Sequence, residues 1–149
     1  MLRKFSISDL DAVIQIEKES FPKLPYSGST FMYFASMYPD NFLVYVQDDT
    51  ETGLRNIVGY LIFYPDGHIV SIAIHTAYRR RGIGSKLVAE VLKRTKGTAI
   101  VEVRKSNEVA KKFYTHLGFS VRAVIPRYYG DEDALVMVRT NAKSYCSVR

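Results

Sequence analysis

The sequence predicts an α/β (α+β) domain, a mixed sheet of about seven strands with helices on both faces. Three observations predict it. The chain has 149 residues, 47% of them hydrophobic, which suits one domain with an ordinary core. Apolar runs of strand length alternate with segments of helical spacing, in the order β-α-α-β-β-β-α-β-α-β-β. The apolar run Ile69 to Ile74 passes through a basic, glycine-rich turn straight into a helical repeat, a unit expected to be a right-handed crossover.

Leu2 to Phe5 alternates weakly and reads as the first strand. Ser6 or Ser8 is placed to cap a helix carrying Leu10, Val13, Ile14 and Glu17. Phe21 to Tyr26 is a loop interrupted by Pro22 and Pro25. A short helix follows from Thr30 to Met37 and stops before Pro39. Phe42–Val46 and Ile57–Tyr64 read as strands joined by a polar hairpin loop, with a turn at Pro65-Asp66-Gly67. His68–His75 is the central strand and Gly82–Lys96 the helix after it. Ala99–Val103 is a strand. Asn107–Leu117 is a helix with Val109, Ala110, Phe113, Tyr114 and Leu117 on its apolar side, closed by Gly118. Val121–Ile125 and Ala134–Val138 form a closing pair of strands. No repeat, linker or low-complexity tract divides the chain.

The most informative stretch is Tyr78-Arg79-Arg80-Arg81-Gly82-Ile83-Gly84-Ser85. A strand, turn and helix in this order aim free amides and the positive end of a helix dipole at one spot, where an anion binds. Gly82 and Gly84 let a phosphate approach the backbone, and three arginines add charge. The third glycine of a dinucleotide fingerprint is missing, and no glycine stands four residues ahead of a Gly-Lys-Ser/Thr triplet. What remains is Arg-x-x-Gly-x-Gly. The bland alternative is a solvated basic turn.

The net charge of +6 suits a polyanionic partner, a ribosomal surface or an anionic cofactor, and no nucleic-acid motif accompanies it. The single cysteine, Cys146, cannot form an internal disulfide and fits a reducing compartment. No signal peptide or 18-residue apolar span is visible, so a cytoplasmic protein without a membrane partner is expected. No cluster has metal-ligand spacing.

The Arg79–Gly84 signature resembles the pyrophosphate loop of the GCN5-related N-acetyltransferase (GNAT) superfamily. Three further blocks extend the resemblance in order: Glu102-Val103-Arg104-Lys105-Ser106-Asn107, Phe113-Tyr114-Thr115-His116-Leu117-Gly118-Phe119, and Tyr128 to Ala134. They are similar to the "EVRxSN", "FYxxLGF" and "YYxDGEDA" blocks of the RimI-like branch, which acetylates the α-amino group of proteins. The resemblance covers roughly residues 1 to 140 and leaves 141–149 as a tail in a single acetyltransferase domain. It implies a mostly antiparallel, twisted central sheet, acetyl-CoA as co-substrate without a metal, and direct transfer in a ternary complex. It implies protein or peptide N-termini as partners, with association to the ribosome or ribosomal proteins an option. Two departures concern the acceptor side. The family loop Phe-Pro-x-Pro-Trp-Ser is one residue longer here, with Tyr26 in place of tryptophan, and the tyrosine block is one residue shorter, its glycine moved to Gly130.

Acetyl transfer needs a neutral amine, a polarised thioester and help for the departing thiolate. At pH 7 roughly a tenth of α-amines are neutral, against well under a thousandth of lysines, so an α-amine needs only a modest base. Glu102 is the first candidate. Alternation in Val101-Glu102-Val103 sends it to the face opposite both valines, where an ion pair with Arg104 at i+2 is the alternative. His68 is the second candidate, as a residue type that titrates near neutrality; a plain turn histidine is its alternative. His75 and His116 read as structural or solvated. The resemblance puts the Tyr114 hydroxyl at the coenzyme sulfur. A phenol near pKa 10 is a poorer acid than a thiol near 8.5, so hydrogen-bond stabilisation of the thiolate is the expected role. Asn107 reads by itself as a helix N-cap, and by resemblance contacts the coenzyme arm. The resemblance further assigns Ile72, Ala73 and Ile74 to the pantetheine and acetyl carbonyl, and Arg79, Arg80, Arg81, Gly82, Ile83, Gly84 and Ser85 to the pyrophosphate. Tyr26, Tyr128 and Tyr129 are candidates for gripping a peptide, and Asp131-Glu132-Asp133 reads as a solvated turn. The rivals are acetylation of lysine or small-molecule amines, and a non-catalytic acyl-CoA-binding module.

Overall fold

The computed structural model describes residues 1–141; Cys146 and the rest of the tail lie outside the described residues. The elements are β1 (Leu2–Lys4), α1 (Leu10–Ser20), α2 (Gly28–Met37), β2 (Phe42–Asp48), β3 (Arg55–Phe63), β4 (Ile69–Ile74), α3 (Ile83–Arg94), β5 (Ala99–Arg104), α4 (Glu108–His116), β6 (Ser120–Ile125) and β7 (Ala134–Arg139). Their order is the one the periodicity predicts. Ser6 caps a 3-10 turn over residues 7–9 rather than α1 itself, whose N-cap position is Asp9. The Asp9 carboxylate is buried, accepts from the two terminal nitrogens of the Arg3 guanidinium at 2.7 and 2.9 Å, and accepts from the Ser6 amide.

The strands divide into two sheets, β1-β2-β3-β4 and β5-β7-β6, where the sequence suggested one. The β1–β2, β2–β3, β5–β7 and β6–β7 pairs are antiparallel. The parallel component is an isolated bridge from His68 to Ile100. Sequence periodicity gives a strand its faces but not its neighbours, so this division was not legible.

The described residues form two compact units. The first comprises Met1–Tyr64 and Val70–Ala89. Its core lies between α1, α2 and the four-stranded sheet, with Val13, Ile16, Phe31, Phe42, Val44, Tyr60 and Ile62 fully or almost fully buried. Gly59 sits on the opposite sheet face. A Cβ there would come within 2.8 Å of Ile74 Cδ1 and 3.2 Å of the Ala73 carbonyl, so only glycine lets β3 and β4 approach this closely beneath Leu87 of α3. The register shifts beside it, between Tyr45 and Val46, and the Val58 carbonyl there accepts from the His75 amide at the end of β4.

The second unit comprises residues 65–69 and 90 onward. Its sheet buries Ala99, Val101 and Val103 of β5 and Ala134, Val136 and Met137 of β7, while β6 is exposed along its length. α4 departs from the expected apolar side in one respect: Val109 is 80% exposed, because the first turn of the helix overhangs solvent.

Candidate active site

In the first unit, β4 runs through a 3-10 turn at Thr76–Tyr78 into the basic loop. Two residues of that loop have left-handed backbone, Arg80 at φ 63° and Gly82 at φ 80°. The first helical bond of α3 runs from the Lys86 amide to the Gly82 carbonyl. The amides of Ile83, Gly84 and Ser85 therefore belong to the first turn, whose donors a helix leaves to outside partners. Open space surrounds the missing Cβ of Gly82. This donor set fits a pyrophosphate. The three arginines are not equivalent. Arg79 braces the loop, with Nε donating to the Ile74 carbonyl at 3.0 Å and Nη2 to Ser20 Oγ at 3.2 Å. Arg81 stacks over the Tyr78 ring, and Arg80 is exposed. His75 caps the 3-10 turn through Nδ1, the structural role expected of it.

In the second unit, His68 Nε2 and Glu102 Oε2 are 2.6 Å apart. The two residues named independently as bases are thus hydrogen-bonded partners. Arg104 does not take Glu102. Its guanidinium binds Asp131 at 2.9 Å and Glu132 at 3.3 Å and stacks 4.3 Å from the centre of the Tyr129 ring. Asp131 to Asp133 keeps the exposed turn read from sequence at Asp131 and is tied down by these bonds. Glu132 also accepts from the Ser106 amide and Asp133 from the Arg127 amide. A depression of about 430 Å³ beside Lys105, Ser106 and this loop is lined by acids already engaged in these bonds.

Tyr114 is placed by the end of its own helix. The Gly118 amide bonds the Thr115 carbonyl and the Phe119 amide bonds the Tyr114 carbonyl, a Schellman closure with Gly118 at φ 90°. The accompanying apolar contact is Phe119 against Tyr114, ring centres 5.2 Å apart. The glycine and the flanking aromatics of the FYTHLGF block thus fix one tyrosine at 4% exposure. Burial, with the neighbouring Tyr129, pushes the Tyr114 phenol well above its ordinary value. Tyr129 is pushed up to about 12 by burial and by the charges of Tyr128 and Glu102 around it. Tyr129 is thus within electrostatic reach of both Glu102 and Tyr114, and Glu102 is bonded to His68. Asn107 caps α4, its Oδ1 accepting from the Ala110 amide at 3.0 Å. Tyr128 is half exposed and packs edge-on against Tyr129.

Tyr26 belongs to the first unit. Its ring lies against Phe31 and Phe34, so much of it is spent on the core. Its amide leads to a group the sequence reading passed over. Glu17 is 2% exposed, one oxygen accepting from the Tyr26 amide at 2.8 Å and the other from the Tyr60 hydroxyl, which also bonds Ser71 Oγ at 2.9 Å. Burial and the adjacent Glu17 carboxylate push the Tyr60 phenol well above its ordinary value. The available signal was an acid at helical spacing from Val13 and next to Ile16, on the apolar stripe of α1.

Among the described residues no group of three or more His, Cys, Asp or Glu side chains is placed to hold a metal ion, and no helix is long and apolar enough to cross a membrane.

The first unit thus presents a strand, a glycine turn with free amides and a helix, and the second unit an acid–histidine pair and a buried tyrosine. Residues 10–119 match the model of the acetyltransferase (GNAT) family, and the chain belongs to that family. It is 40% identical to an uncharacterized N-acetyltransferase of Methanocaldococcus jannaschii, over 96% of this chain and 94% of that one. It is 32% identical to an N-alpha-acetyltransferase of Sulfurisphaera tokodaii, over 91% and 90%. Among solved structures it resembles the ribosomal-protein-S18-alanine N-acetyltransferase of Escherichia coli, with a TM-score of 0.72 at 27% identity, covering 93% of this chain and 91% of that one.

Proposed function

We propose that the chain transfers the acetyl group of acetyl-CoA to the α-amino group of protein N-termini, by direct attack of the amine in a ternary complex. The observation that carries this reading is the 2.6 Å pair of His68 and Glu102, with Tyr129 in electrostatic reach of both Glu102 and the buried Tyr114. Acetyl-CoA supplies an acyl group activated as a thioester. The backbone amides of Ile83, Gly84 and Ser85, with Arg80 and Arg81, hold its pyrophosphate. Ile72, Ala73 and Ile74 offer backbone groups to the pantetheine, and Asn107 lies along the coenzyme arm. Arg79 serves the coenzyme by bracing the turn.

The amine nitrogen bonds the acyl carbon, the carbon–sulfur bond breaks, and the proton lost from nitrogen passes to the Glu102–His68 pair. A hydrogen bond joins the two residues, so a proton taken by either is stabilised by the other. The Tyr114 hydroxyl donates a hydrogen bond to the departing thiolate and keeps its own proton, as its raised pKa requires. Tyr129 and Tyr128 contact the backbone of the acceptor, with Tyr26 on the loop between α1 and α2 as the third tyrosine.

The α-amine acceptor is supported by the relative named as an N-alpha-acetyltransferase. Ribosomal proteins or chains emerging from the ribosome are the acceptors we favour, since a net charge of +6 suits that surface and the similar bacterial structure is named for such a substrate. The chain then acts in the cytoplasm, as one catalytic domain.

The test is incubation with acetyl-CoA and peptides of varied first residue, some with internal lysines behind a blocked N-terminus, and mass-spectrometric location of the acetyl group. Transfer to free α-amines alone supports the reading. Transfer to lysines replaces the acceptor, and coenzyme binding without transfer to any peptide replaces the activity.

A further inference from the structure

Glu17 holds both ends of one loop. Its backbone carbonyl accepts from the Phe21 amide at 2.8 Å, and its carboxylate Oε2 accepts from the Tyr26 amide at 2.8 Å. Residues 21 to 26 therefore leave and return to a single residue of α1. The other carboxylate oxygen is fixed from the sheet side by the Tyr60 hydroxyl of β3, with Ser71 of β4 3.5 Å away. Ser27 then starts α2, accepting from the Thr30 amide. The loop so closed turns its apolar side chains outward. Leu24 is 79% exposed and Phe21 39%. A carboxylate withdrawn from water is costly unless hydrogen bonds satisfy it, and an apolar group in its place is often no worse for stability. A buried acid whose bonds go to a loop amide and two strand hydroxyls, while the loop shows leucine and phenylalanine to solvent, is arranged to fix the position of that loop.

We propose that Glu17 is a positioning residue for the acceptor. It clamps the 21–26 loop to β3 and β4 so that Phe21, Leu24 and Tyr26 meet the first side chains of the incoming peptide in one fixed geometry. This rests on the reading of the chain as a peptide N-acetyltransferase. The hydrogen bonds of Glu17 go to Phe21, Tyr26, Tyr60 and Ser71 and to none of the residues assigned to the coenzyme or the base, so it acts on acceptor affinity and not on the chemical step.

The test compares Glu17→Ala, Glu17→Gln and Tyr60→Phe with the wild type, using the peptide that the wild type acetylates best. Steady-state constants are combined with hydrogen exchange at the Tyr26 amide. Glu17→Ala is expected to raise the peptide KM tenfold or more, with kcat and coenzyme Kd within threefold of wild type, and to speed exchange at Tyr26 at least tenfold. Glu17→Gln keeps a carbonyl for the Tyr26 amide and is expected to restore KM to within threefold. Tyr60→Phe loosens the clamp without removing it and is expected to raise KM about threefold; it decides the matter if Glu17→Ala does not fold. A peptide KM and Tyr26 exchange unchanged in a folded Glu17→Ala or Tyr60→Phe variant overturn the proposal. So does a loss that falls on kcat alone. A wild-type protein that acetylates no peptide overturns instead the reading of the function on which the proposal stands.

Discussion

Replacing Tyr114 by phenylalanine isolates one hydroxyl from everything else the residue does. The ring is held by the Schellman closure at Gly118 and by Phe113 and Phe119, contacts that phenylalanine keeps. Folding should therefore survive, with Tm within a few degrees of wild type. What is lost is one hydrogen bond to a thiolate that exists only as the carbon–sulfur bond breaks. Hydrogen bonds to charged groups contribute about 1.5–3 kcal/mol. At about 1.36 kcal/mol per factor of ten, kcat should fall roughly 10- to 150-fold, with coenzyme Kd nearly unchanged. Release of free thiol from acetyl-CoA with a good acceptor peptide measures this directly. The pKa sharpens the test. Burial holds the phenol protonated well past its ordinary value, so wild type and variant should show the same alkaline limb between pH 7 and 10. A kcat within twofold of wild type would refute the thiolate role. An alkaline limb present in wild type and absent in Tyr114→Phe would refute the hydrogen-bond version and make the tyrosine a proton donor.

Glu102→Gln keeps the shape of the acid but cannot take a proton; a 10²- to 10⁴-fold loss of kcat with retained coenzyme binding is expected, and unchanged turnover in a pH–rate profile would remove Glu102 from the chemistry. Gly82→Ala forces a side chain into φ 80°, where the surrounding space is open, so the cost is backbone strain of about 1–2 kcal/mol; calorimetry should show a Tm lower by several degrees and a weaker coenzyme Kd. Arg80→Gly relieves about 1–2 kcal/mol of left-handed strain against about 0.4–1 kcal/mol from a looser unfolded chain; the expected result is a Tm equal to or a few degrees above wild type with coenzyme Kd raised about 3- to 10-fold in low salt. For Asp9, burial opposes ionisation, but the Arg3 guanidinium and the Ser6 amide outweigh it and hold the carboxyl below its usual value. Its folded pKa is depressed, so its contribution is full above about pH 4 and is lost as pH falls through the folded value. Asp9→Asn should therefore flatten the acid limb of stability in a urea titration across pH.

The element order was legible because each element has its own period, and the Tyr114 helix end because Gly118 has one physical use there. The strand, glycine turn and helix around Gly82 were legible from the apolar run before them and the helical repeat after. What the arginines do was not: a run of three reads as three equal charges, whereas Arg79 is committed to Ile74 and Ser20 and Arg81 to Tyr78. Partners chosen across long sequence distances were the general blind spot. Glu102 had Arg104 two residues away on the same strand face, and the nearer candidate lost. Asp131 and Glu132, 27 and 28 residues on, already hold that guanidinium. The pairing of Glu17 with Tyr26, Tyr60 and Ser71 was invisible for the same reason, since a hydroxyl inside an apolar strand gives no sign of what it bonds.

The disposition of Arg104 bears on how the acid is kept available. An acid beside a free guanidinium would be locked in an ion pair and would accept a proton poorly. Two acids on the loop before β7, Asp131 and Glu132, neutralise Arg104, and the ring of Tyr129 covers it. Glu102 is left with a histidine, a partner that can itself carry the proton. Replacing both loop acids would release a positive charge two residues along the strand from Glu102. On the proposed mechanism the acidic loop would support the base through Arg104, and the "EVR" and "EDA" blocks belong to one electrostatic unit although they lie some 30 residues apart.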